Sequence, residues 1–300
     1  MNSNTDTLRL NLEDKPILRV AGAFDAMSAK LVELNGFDAI WAGSFAISAT
    51  HALPDASILS MTEFLTSTSN MVDACSIPVI ADCDTGFGGP SNVSHMIKKY
   101  ENAGVAAVSI EDKVFPKQNS LLKNGKQDLL SEKDFVAKII AAKNAKKNPS
   151  FMVIARVEAL IAGLGIDEAL KRATAYEEAG ADAILIHSKQ NTPDELFDFC
   201  DKWNGKVPIV CIPTSYPSVT LNDLQNHKVK MVIYANQSLR KAHWAMENYL
   251  QKLSKVQSLS EIDSEMSTME NIFHLQEMYT IKNQELEIED TLKKMGYINE

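Results

Sequence analysis

Ala179-Gly180-Ala181-Asp182-Ala183-Ile184 is the stretch that decides the fold. Its glycine suits the left-handed conformation that stops a helix, and the apolar run straight after it has strand character. Degenerate copies stand at Asn35-Gly36-Phe37-Asp38-Ala39-Ile40 and at Ala103-Gly104-Val105-Ala106-Ala107-Val108, so the helix-to-strand joint recurs. Upstream of the quoted copy, Asp167 is the expected N-cap of a helix whose Ala169, Leu170, Ala173 and Tyr176 share one face. Val93, Met96, Ile97 and Tyr100 repeat that face ahead of Gly104.

Outward from these joints, eight short apolar runs read as strands: 17–20, 39–42, 79–82, 107–110, 152–155, 183–186, 209–212 and 231–234. They are continuously apolar rather than alternating, as strands of a helix-covered parallel sheet are. Eight β-α units over about 240 residues match an α/β chain closed into a (β/α)8 TIM-type barrel. An open doubly wound sheet is the rival, but the even spacing and the lack of a G-x-G-x-x-G run after the first strand favour closure. After Tyr234 the strands stop. Helices follow, with Leu239, Ala242, Met246, Tyr249, Leu250 and Leu253 on one stripe and Ile262, Met266, Met269, Ile272 and Phe273 on another. The expected organisation is a catalytic barrel over 1–236 and C-terminal helices over 237–300, which pack on the barrel or on a neighbouring subunit.

Composition narrows the functional classes. The 300 residues are 45% hydrophobic and 23% charged, with a net charge of -9. The isoelectric point near 5.3 and mean hydropathy of -0.14 are those of a soluble acidic protein. That balance argues against nucleic acid or an anionic membrane as partner. A small anionic substrate stays open, because a bound cation or a local basic pair inverts the field of one pocket. The first sixteen residues are polar, without the apolar core of a secretion signal, and no run reaches the ~18 apolar residues of a membrane span. Cys75, Cys83, Cys200 and Cys211 have no metal or disulfide spacing, which points to reduced thiols and a cytoplasmic setting.

The strand ends are polar. The third strand runs into Asp82-Cys83-Asp84-Thr85-Gly86-Phe87-Gly88, the fourth ends in Glu111-Asp112-Lys113 and the fifth in Arg156-Val157-Glu158. Gly43-Ser44, His187-Ser188-Lys189, Pro213-Thr214 and Asn236 follow the second, sixth, seventh and eighth. In a barrel these ends form one mouth. Asp82 and Asp84, two residues apart, point the same way on a strand, and Glu111 arrives from its neighbour. Like charges so close need a cation, and hard oxygen ligands with waters suit Mg2+. A solvated acidic loop is the plainer alternative. Residues 113–128 form a long polar connection with Gly125 as a hinge, either a lid or a tolerated insertion. Arg156 calls for an anion, or for a structural pair with Glu158. His187 by itself is as well read as a satisfied structural histidine. Cys83 should point away from the site.

These residues resemble the isocitrate lyase/phosphoenolpyruvate mutase superfamily, and within it the mutase branch. The general marks are Asp82 to Gly88 and the Glu111-Asp112-Lys113 strand end; the branch mark is Asn119-Ser120 five residues further on, matching an EDK-x5-NS signature. Ile154 to Ala159, the Ile161 to Ile166 stretch and Ile186 to Lys189 extend the match, which covers roughly residues 15–280. The resemblance implies that Asp82 binds Mg2+ (Mn2+ possible) directly and that Asp84 and Glu111 hold it through waters. It implies an active-site role for Asp55, a gating loop carrying Lys117 and Asn119, and a phosphoryl grip by Arg156 and Asn119, with Ser120 and His187 close by. The backbone of Gly43 and Ser44, beside Trp41 and Phe45, lines the substrate pocket. One departure is the order Gly43 then Ser44, where the family pattern has Ser then Gly.

The implied reaction is the interconversion of phosphoenolpyruvate and 3-phosphonopyruvate in phosphonate biosynthesis. A phosphonopyruvate hydrolase, which usually departs from the Asn of the Asn-Ser pair, is the alternative. The lyase branch fits poorly, because its cysteine motif after the fourth strand is replaced here by Lys113-Val114-Phe115-Pro116-Lys117. A silent scaffold barrel is a further class, opposed by the complete carboxylate set. The resemblance also implies a homotetramer, a dimer of dimers exchanging C-terminal helices.

Overall fold

The computed structural model describes residues 4–298. Eight parallel strands close into a barrel in sequence order: β1 (Leu18–Ala23), β2 (Ala39–Ala42), β3 (Val79–Asp82), β4 (Ala107–Glu111), β5 (Met152–Val157), β6 (Ala183–Ile186), β7 (Ile209–Cys211) and β8 (Val229–Tyr234). β8 returns to β1 with Leu18 opposite Met231 and Ala21 opposite Tyr234. The open-sheet alternative is thereby excluded.

Nearly every strand position is buried, which explains the largely apolar runs; Arg19 in β1 is the exposed exception. Leu18, Val20, Trp41, Ile80, Ile154, Leu185, Met231 and Ile233 fill the barrel interior as one cluster. Val108, Ile110, Val153, Ile184 and Val232 face outward against helix residues such as Val93, Met96, Tyr100, Phe135, Ala173 and Tyr176. Cys83 belongs to this outer layer, turned away from the mouth as its position along the strand requires.

The repeated joint works as its sequence indicates. Gly180 takes φ +100° just past the helix Gly165–Glu178, and Gly36 and Gly104 are likewise left-handed. The aspartate that follows does a further job. Asp182 accepts the backbone N–H of Val153 in the neighbouring strand at 2.9 Å, and Asp38 accepts that of Arg19 at 2.7 Å. These two joints thus pin the start of the adjacent strand, while the third has Ala106 in place of the aspartate.

Two local expectations fail, and one element was not foreseen. Asp167 is not the N-cap: the helix begins at Gly165 after Leu164, with no side-chain cap, and Asp167 lies in its first turn, where its charge still complements the helix dipole. The polar segment before β1 is a helix, Asn4–Asp14, whose Leu8 and Leu12 join the interior cluster of the barrel. The stripe from Ile262 to Phe273 is not one helix face. Ile262 lies between two short 3-10 turns and Met266 follows the second, and only Met269–Leu275 is α-helical.

The chain forms two compact units, Met1–Arg240 and Lys241–Glu300. The second holds most of the helix Gln237–Leu253 together with Met278–Lys294. Trp244, Met246, Leu250, Met278, Ile281 and Ile288 are exposed on these helices.

Candidate active site

A cavity of about 280 Å³ opens at the C-terminal ends of the strands. Of the site residues expected from sequence, Trp41, Gly43, Ser44, Phe45, Asp55, Asp82, Lys117, Asn119, Ser120, Arg156 and His187 line it. Asp84 and Glu111 lie beneath it, 2% and 1% exposed. The strand ends also bring in Ile212, Thr214, Ala235 and Asn236, and the helix Gln237–Leu253 brings in Arg240; Thr214 and Asn236 stood out in the sequence only as polar strand ends.

Backbone conformation sets the carboxylates. Asp82 ends β3, but Asp84 is beyond the strand with φ +50°. Its approach to Asp82 is made by that left-handed turn, where the Asp84 N–H points to Asp82 Oδ1 at 3.3 Å, and not by strand alternation. Ser44, opening the short helix after β2, donates its hydroxyl to Asp82 Oδ2 at 2.9 Å. Gly43 is needed before it, since a Cβ there would stand 2.9 Å from Trp41 Nε1.

The segment 113–130 folds back over this mouth. Its ends pair, with Val114 N–H donating to the Asp128 carbonyl at 3.0 Å and Leu130 N–H to the Asp112 carbonyl at 2.8 Å. Between them Lys117 reaches down among the acids. Its ammonium is 2.6 Å from Asp84 Oδ1, 3.1 Å from Asp55 Oδ1 and 3.9 Å from Glu111 Oε1, and it donates to Ser44 Oγ at 3.2 Å. Asn119 Nδ2 donates to Asp55 Oδ2 at 2.7 Å. Arg156 Nε lies 2.6 Å from Glu158 Oε1 and 3.4 Å from Glu111 Oε2. The structural pair with Glu158 is therefore real, and Arg156 faces the cavity as well.

The electrostatics follow from this crowding. Burial works against the Lys117 ammonium, but Asp84, Glu111, Asp55 and Asp82 outweigh it and hold its pKa well above the usual value. Burial also opposes ionisation of Asp55, yet Lys117 and the Asn119 hydrogen bond bring its pKa below the ordinary range. Asp84 is pushed up to about 7 by burial together with Asp82, Asp55 and Glu111, against the pull of Lys117. Burial and Arg156 hold the His187 pKa down, which favours the neutral imidazole.

Four carboxylates (Asp55, Asp82, Asp84 and Glu111) meet two cationic groups, Lys117 and Arg156. Beyond the ion-pair contacts with Lys117 and Arg156, both oxygens of Asp84 and of Glu111, and Oδ1 of Asp55, are buried without a further hydrogen-bond partner. Oxygen donors left in this condition fit a hard divalent cation carrying its own waters. Among the described residues no group of three or more acidic, His or Cys side chains is spaced, as placed, to hold a metal ion. Asp82, Asp84 and Glu111 are the residues that could hold such an ion, with Asp82 alone of the three facing the cavity.

Comparison with known proteins agrees with this geometry. The family model for phosphoenolpyruvate phosphomutase matches residues 8–254. A phosphonopyruvate hydrolase of Variovorax sp. (strain Pal2) is 44% identical over 275 residues, 91% of this chain and 95% of that protein. The crystal structure of a phosphoenolpyruvate phosphomutase from Streptomyces platensis subsp. rosaceus superposes with a TM-score of 0.93 at 43% identity, covering 94% of this chain and 98% of that one. That of a phosphonopyruvate hydrolase in complex with oxalate and Mg2+ gives 0.90 at 42%, covering 95% and 99%. With the family model matching residues 8–254 and relatives similar across most of the chain, the chain belongs to the phosphoenolpyruvate phosphomutase family.

Proposed function

We propose that the chain is a phosphoenolpyruvate mutase, an isomerase interconverting phosphoenolpyruvate and 3-phosphonopyruvate and so serving phosphonate biosynthesis. The observation that carries the reading is the placement of Asn119. From the closed segment its amide is held on Asp55 at 2.7 Å and faces the same cavity as Lys117 and Arg156. Once a phosphoryl group has left its oxygen, its fate is decided by what stands beside it, carbon or water. An anchored amide holds phosphoryl oxygens and occupies space that water would use.

The other residues take roles to match. Arg156 and Asn119 grip the phosphoryl group, with Ser120 and His187 beside them, while Trp41 and Phe45 wall the pyruvate portion against the backbone of Gly43 and Ser44. Lys117 and Asp55 fix the closed segment over the substrate and exclude water. The rearrangement breaks a P–O bond and forms a P–C bond with no net proton transfer, so a neutral His187 suits it. Asp82 would bind Mg2+, or Mn2+, directly, and Asp84 and Glu111 would hold its waters; the bound ion supplies charge stabilisation for the enolate oxygen and carboxylate.

Hydrolysis of phosphonopyruvate to pyruvate and phosphate is the second reading, favoured by the identity to the Variovorax enzyme. Phosphorus NMR of the purified protein with phosphonopyruvate and Mg2+ decides between them. The mutase gives a phosphoenolpyruvate signal, with phosphate only as a slow by-product. Phosphate and pyruvate appearing first, with no phosphoenolpyruvate, would overturn the mutase reading. We also propose a homotetramer, a dimer of dimers that covers the exposed apolar stripes of the C-terminal helices. Light scattering at micromolar concentration should give four chains, and a monomeric mass refutes it.

A further inference from the structure

Glu158, the first residue beyond β5, is fully buried, and its carboxylate is divided between two parts of the molecule. Oε1 faces the barrel wall, with Arg156 Nε at 2.6 Å and His187 Nδ1 at 3.1 Å. Oε2 faces the closing segment. Ser120 Oγ donates to it at 2.6 Å and Lys113 Nζ stands 3.2 Å away. The partners on the segment also bind one another, Lys113 donating to Ser120 Oγ at 2.6 Å and to the Gln118 carbonyl at 2.9 Å. Arg156 Nη2 donates to the same hydroxyl at 3.1 Å.

The main chain of Glu158 cannot follow a moving segment. Its N–H donates to Asp112 Oδ1 at 2.9 Å. The other Asp112 oxygen takes Tyr176 Oη at 2.8 Å and Arg172 Nη1 at 3.1 Å. Only the side chain is free to respond when Ser120 withdraws. A buried carboxylate stripped of half its partners must turn toward water or toward its remaining cations, and either motion displaces the Arg156 guanidinium fixed on Oε1.

We propose that Glu158 is a positioning residue that latches the closing segment through Ser120 and thereby sets Arg156 in place only when the segment is shut. The role of Arg156 rests on the function proposed above; the latch itself does not. Its test separates the two. Lys123 and Lys126 are exposed on the segment, so trypsin cleavage there in the ligand-free full chain reports opening without any substrate. Ser120→Ala, Glu158→Gln and the double variant are compared by cleavage rate, and by kcat and KM from phosphorus NMR.

Each single variant should be cleaved about tenfold faster, as loss of a charge-assisted hydrogen bond implies, with kcat falling more than KM rises. The double variant should be cleaved no faster than Glu158→Gln, because both changes break one latch. Ser120→Thr, which keeps the hydroxyl, should restore slow cleavage. Additive effects, or a fall in kcat with cleavage unchanged, would overturn the proposal. If Glu158→Gln does not fold, the Ser120 pair decides alone: fast cleavage in the alanine variant and slow in the threonine variant supports the latch, and equal rates refute it. Altered cleavage in a protein that forms no phosphoenolpyruvate leaves the latch standing and removes only the mutase.

Discussion

The two ends of the barrel treat their carboxylates in opposite ways. At the end where the strands begin, Asp182 is saturated: it accepts from Val153 N–H at 2.9 Å, Lys143 Nζ at 2.7 Å and Arg9 Nη2 at 2.8 Å. These partners outweigh burial and hold its pKa below the ordinary range. At the mouth, Asp84 and Glu111 have only the ion-pair contacts of Lys117 and Arg156 and no other hydrogen bond, and burial and neighbouring acids drive Asp84 up to about 7. One end spends its acids on stability. The other leaves them unsatisfied around a cavity, the condition of a site made to receive a charged ligand.

The sharpest way to break the comparison is to remove side chains at the mouth. Asp82→Ala and Asn119→Ala should each lower kcat by roughly a thousandfold or more, the scale of positioning and charge terms in phosphoryl transfer. Circular dichroism should show an intact fold in both. Activity within tenfold of the parent would take these residues out of the chemistry.

A second, smaller effect follows from the unsatisfied oxygens. If they receive a divalent ion, Mg2+ at about a hundred times its dissociation constant should stabilise the protein by about 2.7 kcal/mol. Calorimetry should record a rise in Tm that chelation reverses and that Asp82→Ala abolishes. An unchanged Tm in the parent protein would leave the acidic mouth without its ion.

The smallest effect belongs to the opposite end. Asp182→Asn should cost about 1–2 kcal/mol and leave kcat unchanged, since Asp182 is remote from the cavity lining. The sign with pH is fixed. A carboxyl whose folded pKa lies below its unfolded value of 3.8 adds stability above that pH and loses it as pH falls through the folded pKa. The gap between parent and variant should therefore be full at pH 7 and narrow below about pH 4, as denaturant melts at the two pH values can show. A constant gap would mean that Asp182 acts by packing and not by charge.

The same contrast explains what the sequence made legible. The eight strands could be read because nearly all of their positions are buried, so the runs from Leu18–Ala23 to Val229–Tyr234 are mostly apolar, with Arg19 and Lys230 among the exceptions. The joint glycines were readable because left-handed backbone leaves a compositional mark. Asp167 misled because the true start at Gly165 carries no capping side chain, and the first acidic residue of the turn looked like one. The residues around the mouth could be named from their strand ends and from the resemblance, but their wiring could not. Lys117 among four acids depends on how a connection of about twenty residues folds back. Glu158 carried a signal that was undervalued: two residues from Arg156, it shares that residue's face of the chain, and only the folded segment shows which group lies on its second oxygen.

The helix Asn4–Asp14 carries a consequence for how the chain comes into being. Its Leu8 and Leu12 sit inside the barrel, Arg9 bonds to Ser150 and Asp182, and Thr5 accepts from Asn148 Nδ2. During synthesis this helix emerges more than a hundred residues before those partners exist, and the barrel interior is complete only once β8 has closed on β1. Contacts of such sequence separation are won late, and apolar surface that waits for them is exposed to aggregation and to chaperones meanwhile. The floor of this barrel is thus made early and laid last.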